Sequence, residues 1–226
     1  MTKKYVLPVI HVESKEQTFN NVTIARECGA NGVFLISHGM MDADELIQLA
    51  LEVKKNFNPI WVGINCLDLD AKEAAKVMPD CIDGIWTDNA KIDERVESQT
   101  YAEEVWEIFK QRLPHTLYFG GVAFKYQRMV TDLETAVRKA APLMDVICTS
   151  GPGTGFAADQ NKIKRMVGIA PLAIASGITP ENVGAYLPYV DYFLVATGIS
   201  DNFTDINPDK LRSLVGHVKG WKSEQQ

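Results

Sequence analysis

The side chains with the most chemical capacity fall at the ends of short apolar runs. His11 and Glu13 close a run beginning at Tyr5. His38 ends residues 32–38, Asn65 ends 59–65, and Asp88 with Asn89 ends 84–88. Lys125 follows the run 119–124 and Thr149 ends 145–149. His11 and His38 can move protons near neutral pH because imidazole titrates there. Asp88 can carry a proton or accept a sugar hydroxyl. Lys125 can hold substrate charge, or, if desolvated, act as a base or form a carbonyl adduct. Asn65 can orient a substrate hydroxyl. Each position also has a structural reading, as a cap, a turn or a hydrogen-bonded rim.

A second group suits anions. Ser150-Gly151-Pro152-Gly153-Thr154-Gly155 joins an apolar run to a helical one and combines three glycines with hydroxyl donors. Glycine lets backbone amides approach a phosphate closely, and the segment reads as an anion cradle. Ser176-Gly177 and Thr197-Gly198 follow the next two apolar runs and extend the cradle. The alternative is a set of tight structural turns. No Walker pattern occurs, and no GxGxxG follows the first run, so neither P-loop nor dinucleotide chemistry is implied.

His11, Glu13, His38 and Asp88 are of metal-ligating types, yet no HExxH or EF-hand spacing arranges them. A divalent metal is compatible but not assigned, and the cofactor is left open. Cys28, Cys66, Cys81 and Cys148 form no CxxC pair and read as reduced, mostly buried thiols.

The elements that must position these groups repeat. Strand-like runs at 5–12, 32–38, 59–65, 84–88, 116–124, 145–149, 171–175 and 192–196 alternate with helical segments. Ser14/Gln17, Asp42/Glu45, Asp70/Glu73 and Thr131/Glu134 have capping-box spacing, and Thr179-Pro180 and Asn207-Pro208 mark two further helix starts. The polar stretch 89–99 is long enough to cover a site. Eight such units in 226 residues predict a single (β/α)8 TIM barrel over residues 1–226, with phosphate-binding loops after strands 6, 7 and 8. An open doubly wound sheet is the rival. In a barrel, polar strand ends from distant parts of the chain gather over one mouth. Trp61 and Trp86, inside strands, read as core or rim packing rather than a base-stacking platform.

The formal charge of −6 argues against a broadly basic nucleic-acid surface, and no apolar run is long enough to cross a membrane. The N-terminus shows no signal-peptide pattern, so the expected address is cytoplasmic. A homo-oligomer would hide exposed apolar helix surface. The expected partner is a phosphorylated small molecule rather than nucleic acid.

Taken together, these motifs resemble the BtpA family of TIM-barrel proteins, which includes proteins associated with photosystem I biogenesis. The resemblance covers most of residues 5–218. It is strongest from Asp145 to Gly151, at Thr154-Gly155, from Pro171 to Val183, and at Asp191 and Val195-Ala196-Thr197-Gly198. Pro8-Val9-Ile10-His11 and Lys125, placed at the end of strand five, also match. The strand-two ending Ser37-His38-Gly39-Met40-Met41 departs from the asparagine-rich, aspartate-containing form of many such chains. No residue here specifies chlorophyll or a photosynthetic partner. The phosphate motifs are also similar to those of phosphoribosyl isomerases and thiamin phosphate synthases, without their complete catalytic patterns. The resemblance implies the barrel fold more than a reaction. The expected function is an isomerase, lyase or glycosidic-bond hydrolase acting on a phosphorylated sugar, nucleoside or related metabolite. The alternative is a non-catalytic phosphometabolite sensor or an assembly factor of the BtpA type.

Overall fold

The computed structural model describes residues 3–222. Eight parallel strands pair in chain order and close: β1 (Tyr5–His11), β2 (Val33–Ile36), β3 (Val62–Asn65), β4 (Gly84–Thr87), β5 (Leu117–Gly121), β6 (Val146–Ser150), β7 (Leu172–Ala175) and β8 (Tyr192–Val195), with β8 returning to β1. Closure rules out the open sheet, and the (β/α)8 expectation holds. Helices α1 (Lys15–Glu27), α2 (Ala43–Asn56), α3 (Ala71–Val77), α4 (Thr100–Arg112), α5 (Leu133–Ala140), α6 (Gln160–Met166) and α7 (Pro208–Gly220) occupy the other connections.

Alternation along each strand divides the core into two layers. Leu7, Val9, Phe34, Ile36, Trp86, Phe119, Cys148 and Leu194 fill the barrel interior, while Val6, Ile10, Leu35, Ile64, Ile85 and Ile174 pack outward among the helices. The aromatics need room. Gly63 pairs in register with Phe34, and a Cβ there would sit 2.2 Å from the Phe34 ring. Trp61 and Trp86 both belong to this interior packing.

Local chemistry sets the helix starts. Asp42/Glu45 and Asp70/Glu73 are complete capping boxes. At α1, Ser14 accepts the Gln17 amide as expected, but the Gln17 side chain answers Glu13, one residue earlier. At α5 the cap is Asp132 rather than Thr131, because the Thr131 hydroxyl is spent on Glu94 and Glu134 pairs with Arg165. No α-helix follows Thr179-Pro180. The connection from β7 to β8 holds only a single 3₁₀ turn, Val183–Ala185, since Asn182 ties Thr179 to Gly177 and Gly184 and Pro188 interrupt any longer helix.

β5 stops at Gly121, three residues short of the expected end. Ala123 has φ 48°, a left-handed turn that ends the strand. Lys125 therefore rides on the β5–α5 loop. The stretch 89–99 does not cover the mouth. Instead it buries the Glu94 side chain, which accepts from Arg128 and from the Thr131 amide and hydroxyl, both at 3.0 Å, fastening it to the loop that carries Lys125. Arg128 holds the Glu94 carboxyl well below the usual carboxylate range. Glu94→Gln should cost about 1–2 kcal/mol in a urea titration, a modest figure because Arg128 is itself partly exposed.

Candidate functional site

A cavity of about 470 Å³ opens at the C-terminal ends of the strands. His11, His38, Asp88, Lys125, Thr154, Gly155, Ser176 and Thr197 line it, brought together from distant parts of the chain by closure of the barrel. His11 ends β1, His38 and Asp88 follow β2 and β4 in the inward register, and the other residues come from the loops after β5 to β8. A second hollow, of about 520 Å³, opens at the opposite end of the barrel, but there Lys54 is committed to Asp83 at 2.6 Å. It gathers none of the candidate residues.

Burial sets the charge state of the mouth. The His11 imidazole is pushed down to about 4 by desolvation, with His38 and Lys125 adding to the effect. His38 is also lowered, by burial first and Lys125 second. Both rings are therefore neutral near pH 7. Burial raises the Asp88 carboxyl above its ordinary value, against the opposing pull of Asn65, Lys125 and His38. Asn65 does not line the cavity. It is buried beneath Asp88 and donates to its Oδ1 at 3.0 Å, which makes it a support for Asp88 rather than a substrate contact. The Lys125 ammonium donates to Thr154 Oγ1 at 3.1 Å, and among the described residues no carboxylate pairs with it.

The anion-cradle residues divide in two. Thr154, Gly155, Ser176 and Thr197 reach the cavity, whereas Ser150, Gly151, Gly153, Gly177 and Gly198 do not line it. Ser150 is buried, accepts the Lys125 amide at 2.8 Å and donates to the Gly151 carbonyl at 2.9 Å, so it shapes the loop that carries Lys125. A Cβ on Gly177, which has φ +68°, would lie 2.1 Å from the Ala157 amide nitrogen. One on Gly151 would meet the Phe156 carbonyl at 2.1 Å. These glycines let the loops after β6 and β7 close together. Ser176 has φ 79°, an uncommon conformation for a residue other than glycine. Among the described residues the amides of Ser176, Gly177, Thr197 and Gly198 meet no protein acceptor.

Other groups were not legible as site residues. Lys162 on α6 donates to the Ala123 and Ser150 carbonyls, and burial lowers its ammonium to about 8. It holds the β5 and β6 loops together from behind, and nothing in its surroundings on the helix signals this. Leu67, Tyr126 and Phe203 line the mouth as large exposed apolar groups within polar loops. Glu13 is exposed and outside the cavity. Among the described residues no three His, Cys, Asp or Glu side chains gather as a metal site. All four cysteines are free, Cys81 exposed and the others buried. No helix among the described residues is long and apolar enough to cross a membrane.

No known family profile matches the chain. An uncharacterised protein of Pyrococcus furiosus is 27% identical over 114 residues, 49% of this chain and 44% of that protein, so the chain matches less than half the length of this relative. Similarity among solved structures is to TIM-barrel proteins. 3-Hexulose-6-phosphate synthase from Salmonella typhimurium superposes with a TM-score of 0.71 at 12% identity, covering 95% of this chain and 98% of that one. Phosphoribosyl anthranilate isomerase from Thermus thermophilus gives 0.68 at 14%, covering 96% and 100%. (S)-3-O-geranylgeranylglyceryl phosphate synthase from Thermoplasma acidophilum, in complex with sn-glycerol-1-phosphate, gives 0.65 at 14%, covering 97% and 94%. At these identities the likeness establishes the fold.

Proposed function

We propose that this protein is an enzyme acting on a phosphorylated small metabolite, by an isomerase, lyase or glycosidic-bond hydrolase reaction that turns on proton transfer. One observation carries the reading: a single cavity holds a half-buried carboxyl, two neutral imidazoles and an ammonium with no carboxylate partner among the described residues, opposite hydroxyls from the loops after β6, β7 and β8 and unspent amides from the last two. Thr154, Ser176, Thr197 and the neighbouring amides hold the phosphate, with Lys125 completing its charge balance. Asp88, set by Asn65, takes the proton, and His11 and His38 relay or return it. The structural neighbours, which include a phosphoribosyl anthranilate isomerase and a 3-hexulose-6-phosphate synthase, support the same class.

Membership of the BtpA group belongs to this proposal, supported by the Thr154-Gly155, Ser176-Gly177 and Thr197-Gly198 motifs at one end of the barrel. So does a cytoplasmic setting, which suits four free thiols. Titration calorimetry with inorganic phosphate tests the anchor. Saturable binding should weaken at least tenfold in Lys125→Ala; unchanged binding in that variant would remove Lys125 from the site. A screen of phosphorylated metabolites then separates turnover from binding alone, the outcome that would favour a sensor.

A further inference from the structure

The cavity is chemically lopsided. Val9, Ile36, Ala175 and Leu194 form an apolar floor, continuous with the barrel core. One wall is aromatic as well: the Phe203 ring lies with its centroid 4.0 Å from His11 and 5.3 Å from His38. Both imidazoles are neutral, so this wall carries no charge.

Phe203 is held there by design of the surrounding loop. Ser200 and Ile206 form an antiparallel bridge, Asp201 donates its amide to the Asp205 carbonyl at 3.0 Å, and Asn202 caps the turn between them. From α1, Gln17 and Asn21 both donate to the Thr204 carbonyl, at 2.8 and 2.7 Å, and Asn21 also accepts the Ile206 amide. Buried Asn21 is thus spent on seating a loop whose tip presents a half-exposed phenyl ring to the mouth. Such a ring gains little from folding alone, since half of its surface stays in water.

A polyhydroxylated open chain laid here would find partners at the imidazole nitrogens and Asp88, but its hydroxyls facing Val9, Ile36, Ala175, Leu194 and the Phe203 ring would go without, at a cost comparable to a lost hydrogen bond each. A flat ring would instead bury apolar area and meet Phe203 in stacked or edge contact. The cavity volume suits a small molecule of that kind.

We propose that the ligand is a phosphate monoester whose other end is a flat aromatic or heteroaromatic ring, seated against Phe203 while the phosphate lies at Lys125 and Thr197. The inference rests on the phosphate-anchored reading above and narrows its substrate class.

Calorimetry with four probes tests it: inorganic phosphate, ribose 5-phosphate, n-hexyl phosphate and phenyl phosphate. Phenyl phosphate should bind at least tenfold tighter than either other ester. Phe203→Ala should remove most of that advantage while leaving inorganic phosphate within twofold, and Phe203→Leu, which keeps apolar area without the ring, should also lose it. Equal or tighter binding of ribose 5-phosphate or hexyl phosphate, or an unaltered preference in both variants, overturns the ring while the phosphate anchor stands. Failure of inorganic phosphate and every ester to bind overturns the anchor and the ring together.

Discussion

Asp88→Asn is expected to lower turnover of a phosphorylated substrate by about 10²–10⁴-fold, the usual contribution of a positioned general base, with a much smaller change in KM. The substitution keeps the shape of the side chain and leaves an oxygen to accept from Asn65, so the fold should be undisturbed. What it removes is a proton acceptor. The wild-type rate should rise with pH through the Asp88 titration, because the carboxylate is the active form, and this inflection should lie above the ordinary aspartate range because burial raises it. In the variant the inflection should vanish along with the rate. A loss confined to KM, with kcat intact, would instead make Asp88 a hydrogen-bond acceptor for substrate. Asn65→Ala offers an independent check. Freed of its buried donor, Asp88 should titrate higher still, moving the inflection upward in a variant whose substrate contacts are otherwise unchanged.

Asp88 was legible because strands alternate. It lies two residues beyond Trp86, as His11 does beyond Val9, His38 beyond Ile36 and Asn65 beyond Gly63, and each preceding residue faces the barrel interior. A period of two therefore carries the polar ends inward over one mouth. Lys125 breaks this rule. It reaches the cavity only because Ala123 turns left-handed, Ser150 accepts the Lys125 amide, and Glu94 and Lys162 pin the surrounding loop. Those contacts join residues 12 to 45 positions apart, and no local pattern announces them. The glycine motifs marked the right loops but obscured the division of labour. Gly151 and Gly177 serve mainly to let backbones approach, and the adjacent Thr154, Gly155 and Ser176 reach the cavity. Phe203 was invisible for a related reason: in a polar loop, one apolar residue reads as incidental until the fold sets it on two histidines.

The same histidines make stability fall on mild acidification. His11 titrates at about 4 in the folded protein and near 6.5 once unfolded, so between these values the unfolded chain binds a proton that the native state refuses. Stability attributable to His11 is therefore complete above pH 6.5, declines as the pH drops toward 4, and changes no further below that; the total is about 3 kcal/mol. His38 shifts in the same direction and adds to the loss. Asp88 acts oppositely. Its raised carboxyl takes up a proton in the folded state first, which favours the native form as acid is added within its own window. Urea midpoints at pH 7.5, 6, 5 and 4 should fall steeply for the wild type and less for His11→Phe, which retains a ring against Phe203 but cannot be protonated. Identical slopes would assign the acid sensitivity elsewhere. Bound phosphate should flatten the wild-type curve as well, since an anion beside Lys125 offsets the positive charge that helps hold both imidazoles down. The pH profile of stability thus becomes a readout of the anion site that needs no substrate and no turnover.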